Sequence, residues 1–293
     1  MSKVVNDNYP NRPVTEMTDE EIKAKFLAEA TNTGALETFQ KIDFPTEVID
    51  LPSKGYFYPE GHPLSSGKIE LKYMTAKEED ILASPNLIKQ GVVIDKLLQS
   101  LIVTKINYND LLTVDKNAIF VAARILAYGK DYDVEITCPS CSTKKQQHID
   151  LAEFEDKPIN WGLFTKGSST FTFQLPAAGK NTLTLKLLTH GDEAAIDSDI
   201  KAQKKLTKII GVDPDLTTRL KHIIQAVDGN SDKAFINKFV DNMLSVNSLA
   251  LRKFLKEATP DTDTTFHYSC DACEYEQPKM AMPIGVGFFW PGV

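Results

Sequence analysis

The chain has 293 residues and a mass of 32.6 kDa, with 33 basic against 40 acidic side chains and a net charge of −7. That length allows one large domain or two smaller ones, and a chain this long buries roughly three quarters of its unfolded surface without needing a covalent staple. Hydrophobic residues at 42% and charged residues at 25% exclude a disordered tail protein, and the acidic balance excludes a broadly basic nucleic-acid surface, which needs clustered Lys and Arg.

In chain order, residues 1–16 carry two prolines, three asparagines and no apolar period, so they read as a flexible or partner-ordered arm. Thr18-Asp19-Glu20-Glu21 is a capping box. Ile22, Phe26 and Leu27 give the helix after it one apolar face, to about Ala30. A short helical piece around Leu36 and Phe39 follows. Residues 48–73 are rich in turns and aromatics, and Lys68-Ile69-Glu70-Leu71-Lys72-Tyr73 alternates like a half-buried strand. Thr75-Ala76-Lys77-Glu78 is a second capping box, opening a helix with Ile81, Leu82, Leu87 and Ile88 apolar and a break at Ser84-Pro85. Two more helices are expected over 92–102 and 114–128, the second stopping at Gly129. Residues 17–130 thus read as a mainly helical domain with a short β/turn segment at 48–73.

Strand patterns then take over. Asp133-Val134-Glu135-Ile136-Thr137 leads straight into Cys138, and the alternating segments 171–175 and 182–187 predict a β-hairpin. Helical patterns follow near 192–210, 216–227 and 231–258, and Thr265-Phe266-His267-Tyr268 runs into Cys270. The fold class is therefore α+β. A helical N-terminal half precedes a split zinc-ribbon-like lobe over 131–293, interrupted by a hairpin and helices at about 165–260.

The lobe contains a short internal echo. Val134-Glu135-Ile136-Thr137-Cys138-Pro139-Ser140-Cys141 is answered by Phe266-His267-Tyr268-Ser269-Cys270-Asp271-Ala272-Cys273, each followed by a polar turn and a returning extended piece. All four cysteines lie in these copies. A two-residue gap lets a tight knuckle aim both sulfurs at one ion while backbone N–H groups point at them. Two knuckles complete a tetrahedral four-thiolate shell with no open position, hence a structural zinc site. The unusual feature is the distance, 128 residues between Cys141 and Cys270, against 15–20 in a continuous ribbon. An iron site, redox disulfides and unliganded core cysteines are the alternatives, although a redox pair prefers a helix start and needs one copy only. Neither His148 nor His267 is needed as a ligand beside four thiolates.

No membrane-length apolar segment and no signal peptide is seen, which predicts a reducing, cytoplasm-like compartment. No phosphate loop, dinucleotide fingerprint, serine elbow or zincin motif appears, and pairs such as Glu78-Glu79 and Asp192-Glu193 fit helix starts. No catalytic role is assigned. The C-terminal run from Met282 is apolar, and its Phe288-Phe289-Trp290 either packs back on its own domain or anchors a partner. On the second reading, removing residues 286–293 abolishes incorporation into an assembly without unfolding the chain.

Three stretches give the chain a resemblance. Leu51-Pro52-Ser53-Lys54-Gly55 opens the first, Thr75-x-x-Glu78-Glu79 opens a helix, and Phe288-Phe289-Trp290-Pro291 closes the chain. In these the sequence resembles the T4-like baseplate protein family of contractile-tailed bacteriophages, hub-subunit type, over roughly residues 48–291. The resemblance implies a non-enzymatic subunit of the tail baseplate that binds other baseplate or tail proteins in a multi-subunit assembly. It implies assembly in the host cytoplasm and location in the virion. Neither nucleic acid nor membrane is an expected partner. The rivals are an assembly chaperone absent from the finished particle and a zinc-ribbon regulator of nucleic acid or polymerase with a basic face at Lys144-Lys145. Zinc is not carried over from the family; it rests on Cys138, Cys141, Cys270 and Cys273.

Overall fold

The segment 51–58 shows how local chemistry sets the N-terminal part of the fold. Gly55 and Gly67 have φ of +72° and +73°, and their backbones cross so closely that a Cβ on Gly55 would stand 2.4 Å from the Ser65 carbonyl oxygen. Only glycine fits both the left-handed conformation and the contact. The crossing closes the connection between strands β1 (Thr46–Asp50) and β2 (Lys68–Lys72), which pair antiparallel with Ile49 opposite Ile69. It also turns Leu51, Phe57, Tyr58 and Leu64 into the core. These coordinates are a computed structural model that describes residues 45–177, 179–206, 214–284 and 286–289. The expected arm over 1–16, the capping box at Thr18, the helix to Ala30 and the piece around Leu36 and Phe39 lie outside the described residues.

Helices α1 (Ala76–Leu82), α2 (Pro85–Gln90) and α3 (Val93–Leu101) follow. The capping box forms as read: the Thr75 N–H and hydroxyl donate to Glu78 Oε2 at 3.0 and 2.5 Å. Glu78 is fully buried, and its other oxygen accepts from Lys72 Nζ at 2.7 Å and Ser100 Oγ at 2.6 Å. The break at Ser84-Pro85 is also present, because Pro85 suits the first turn of α2 and cannot continue α1.

Helix α4 (Thr113–Tyr128) is the central strut. Asp115 in its first turn is fully buried and accepts from the Ser53 N–H and the Tyr58 hydroxyl, both at 2.9 Å. The Tyr58 oxygen in turn accepts the Leu112 N–H at 3.1 Å. The aromatic turn is thereby bolted to the helix start.

The antiparallel hairpin β3 (Asp131–Thr137) and β4 (Lys144–Asp150) comes next. The expected pair β5 (Thr170–Gln174) and β6 (Thr182–Lys186) forms with Phe171 opposite Leu185. Helix α5 is His190–Leu206 and α6 is Asp215–Ile223. Two expectations fail here. Residues 216–227 do not form one helix: Ile224–Val227 is strand β7, pairing with β6 to complete a three-stranded sheet. The burial of Ile224, Ala226 and Val227 against the hairpin overrides helical continuation. Residues 231–258 also divide, into α7 (Lys233–Asp241) and α8 (Ser245–Ala258). Asn242 turns its side chain back onto the Lys238 carbonyl at 2.7 Å and ends the first of them. The last hairpin is β8 (Thr265–Ser269) with β9 (Glu276–Ala281).

The result is a mixed α/β fold of eight helices and four small separate sheets among the described residues. One contiguous core runs from Leu51 through α3, α4 and the three-stranded sheet to Phe289. A smaller cluster of Ile136, Cys138, Tyr268 and Cys270 sits between the two outer hairpins. No helix of the described residues is long and apolar enough to cross a membrane.

Candidate metal centre

Each outer hairpin carries its Cys-x-x-Cys at the turn, and the two turns are built alike. Strand β3 ends at Thr137 and β4 begins at Lys144; β8 ends at Ser269 and β9 begins at Glu276. The Cys138 N–H donates to the Thr143 carbonyl at 2.8 Å, and the Cys270 N–H to the Tyr275 carbonyl at 2.9 Å. The residue after the second cysteine is left-handed in both, Ser142 at φ 60° and Glu274 at φ 56°. Such a knuckle aims amide protons at sulfur: the N–H groups of Ser140 and Cys141 at Cys138, of Thr143 at Cys141, and of Tyr275 at Cys273. The sequence echo is thus a structural echo, turn for turn.

The two knuckles face each other across 129 positions of chain. Cys138 Sγ lies 3.7 Å from Cys273 Sγ, and Cys141 Sγ lies 3.7 Å from Cys270 Sγ. All four sulfurs lie within 4.8 Å of one another. A tetrahedral zinc shell with Zn–S near 2.3 Å has sulfur–sulfur edges of about 3.8 Å, whereas a disulfide needs about 2.05 Å. The four thiols are unbridged, and their spacing fits a metal shell. Cys138 and Cys270 form its buried side, Cys141 and Cys273 its exposed side.

Two neighbours brace the cluster. The Thr143 hydroxyl lies 3.2 Å from Cys141 Sγ. First that hydroxyl and then the Thr143 N–H push the Cys141 thiol down to about 6, toward the thiolate that ligates metal. Lys145 on β4 reaches the opposite knuckle, donating to the Ser269 carbonyl at 3.0 Å and to Asp271 Oδ1 at 2.8 Å. Within the candidate basic face, Lys145 is therefore committed to the second knuckle, and Lys144 pairs with Glu135 at 2.7 Å. His148 is exposed and pairs with Asp133, and His267 is exposed, so neither joins the sulfurs.

The C-terminal aromatics require a correction. Phe288 and Phe289, two of the three candidate partner anchors, are 1% and 0% exposed. Phe288 stacks on Phe120 with ring centroids 5.1 Å apart and meets Tyr132 edge-on at 5.0 Å, while Phe289 meets Phe120 edge-on at 4.8 Å. The large apolar area of these rings is removed from water within the chain itself, so these two side chains are not available to a partner. Trp290 lies outside the described residues.

Sequence reasoning missed Tyr268, Thr143 and Lys145 around the sulfurs. The first had a signal: the echo places Ile136 two residues before Cys138 and a tyrosine at the matching position before Cys270.

Fold and site together define a mixed α/β protein with a zinc-ribbon-like lobe whose four clustered cysteines could hold a metal ion. A family model described as T4 bacteriophage base plate protein matches residues 48–290, both knuckles included, and the chain belongs to that family. Membership supports a structural role in the phage tail baseplate, among other tail proteins. No curated protein and no solved structure matches the chain.

Proposed function

We propose that this protein is a non-enzymatic, hub-type subunit of a contractile tail baseplate. It binds neighbouring baseplate proteins and is retained in the particle after assembly in the host cytoplasm. The observation that carries this reading is the family match over residues 48–290. Most buried apolar residues of the matched span belong to one contiguous core, which includes Phe288 and Phe289.

Within that role, Cys138, Cys141, Cys270 and Cys273 hold one structural zinc ion. Support comes from the crossed 3.7 Å sulfur pairs, close to the edge of a zinc tetrathiolate, and from the amide protons aimed at the sulfurs. A four-thiolate shell is closed, so the ion contributes to folding and leaves no position for substrate. The domain reading follows the same division, a helical part up to residue 130 and a zinc-ribbon lobe after it.

Quantitative mass spectrometry of purified virions tests the role. Stoichiometric presence with the other tail proteins is expected. Abundance in infected cells without presence in the particle would overturn retention and make the protein an assembly factor. Elemental analysis of the purified chain tests the metal: one zinc per chain is expected, and iron or no metal would overturn that part.

A further inference from the structure

Tyr268 is fully buried on β8, two residues before Cys270, and packs with Ile136, Cys138 and Cys270. Its hydroxyl has no hydrogen-bond partner. Among the described residues only one other buried side-chain atom shares that condition, the Thr262 hydroxyl. A buried hydroxyl left unpaired costs about 1–3 kcal/mol, so the position calls for an explanation. Apolar packing does not supply one, because the matching position of the first hairpin is filled by Ile136, which packs without a polar atom. The polar neighbours of the Tyr268 hydroxyl are the two buried sulfurs, Cys138 and Cys270, close enough to interact with it but outside hydrogen-bonding geometry.

A neutral thiol is a weak acceptor, whereas a metal-bound thiolate carries charge and accepts strongly. Groups that hydrogen-bond to metal ligands fix their orientation and tune the metal. We propose that the Tyr268 hydroxyl donates an O–H···S hydrogen bond to the buried thiolates of Cys138 and Cys270 when the four sulfurs hold a metal ion. Tyr268 is then a positioning residue on the buried side of the shell, as Thr143 is on its exposed side. This inference rests on the metal reading of the four cysteines.

The hydroxyl has an acceptor only with thiolates beside it, so its removal acts with different sign in the two forms. In the full chain, Tyr268→Phe is expected to weaken zinc binding 10–100-fold, read by competition with a chromogenic chelator. In the cobalt-substituted protein, the sulfur-to-cobalt charge-transfer band should move to lower energy, because the sulfur lone pairs lose a stabilising proton. After stripping with chelator and reductant, the same variant should melt at or above the wild-type temperature, having lost an unpaired hydroxyl. Equal destabilisation of both forms with an unmoved band would overturn the proposal and leave Tyr268 as packing only. A wild-type chain that binds neither zinc nor cobalt would overturn the metal reading itself, a result distinct from the first. If Phe at this position prevents folding, cadmium-113 NMR of the wild-type protein decides: scalar coupling between the metal and a protected Tyr268 hydroxyl proton supports the bond, and its absence sinks it.

Discussion

Arg124 donates from Nε to the carbonyl oxygen of Phe288 at 2.9 Å, a bond between residues 164 positions apart. Arg124 is 2% exposed. Its charge is met by the Phe288 and Gly129 carbonyls and by the rings of Tyr128, Tyr132 and Phe288, 5.0 to 6.0 Å from the guanidinium. Carbonyl dipoles and π faces together satisfy a buried guanidinium. Phe288 is thereby part of the same packing unit as α4.

Phe288→Ala should accordingly destabilise the fold by about 3–5 kcal/mol, the cost of truncating a buried aromatic. Removing residues 286–293 should lower stability rather than leave the chain folded and merely unincorporated. Urea unfolding of both variants checks this. A midpoint equal to wild type would return the tail to the role of a docking segment.

Metal removal gives the second prediction. Stripping the protein with chelator under reducing conditions should lower its melting temperature. The double variant Cys138→Ser, Cys141→Ser should start from the lower value and not respond to chelator. Calorimetry on the two proteins, with and without chelator, separates this from a general packing loss at the knuckle.

Two buried carboxyls make opposite contributions with pH. Burial of Glu78 acts to raise its pKa, but hydrogen bonds from Lys72, Ser100 and Thr75 outweigh this and hold it at about 2, below the ordinary 4.5. Its stabilisation is present above about pH 4.5 and is lost as the pH falls toward 2. Burial pushes Asp115 up from 3.8 to about 6, against the hydrogen bonds from Ser53 and Tyr58. Its folded form binds a proton more tightly than its unfolded form, so that contribution is present below 3.8 and is lost as the pH rises through 6. Each shift amounts to about 3 kcal/mol. Urea midpoints between pH 2 and 7 should show Glu78→Gln removing the acid-side loss and Asp115→Asn removing the loss between pH 4 and 6. Curves parallel to wild type would show that neither group titrates as described.

Gly55→Ala should cost more than about 2 kcal/mol, because it adds left-handed strain to a backbone collision. The crossing with Gly67 offers no flexible side chain to move aside: the nearest atoms are the Ser65 carbonyl and the Gly67 nitrogen, at 2.4 and 2.5 Å. Thermal melting of the variant is the measurement, and an unchanged transition would mean that the turn can open without loss.

Much of this fold was legible in short-range chemistry. The capping box at Thr75, the proline break at Pro85, the stop at Gly129 and the alternation around Cys138 are local signals, and each appears where it was read. What escaped was decided by distant partners. Nothing near Ile224 distinguishes a strand from the end of α6, because the deciding neighbour is Leu185, 39 residues earlier. The four cysteines were readable as one set because Cys-x-x-Cys is a local motif used twice. Lys145 was not, since its partners Ser269 and Asp271 lie on the other knuckle. The direction taken by Phe288 depends on Phe120 and Arg124, which the tail sequence does not announce.

The crossed sulfur pairs have a topological consequence. Residues 142–269 leave and re-enter through the same four atoms, so a bound ion makes that stretch a closed ring carrying a three-stranded sheet and four helices. A ring of this size, if it persists when the chain unravels, deprives the denatured ensemble of roughly 5 kcal/mol of conformational freedom by the loop-closure relation. A covalent bridge would do the same permanently. A tetrathiolate clasp does it reversibly, so after a protease cut at an exposed loop within the ring, and with the shared core loosened by denaturant, the two pieces should stay joined until a chelator lets them part.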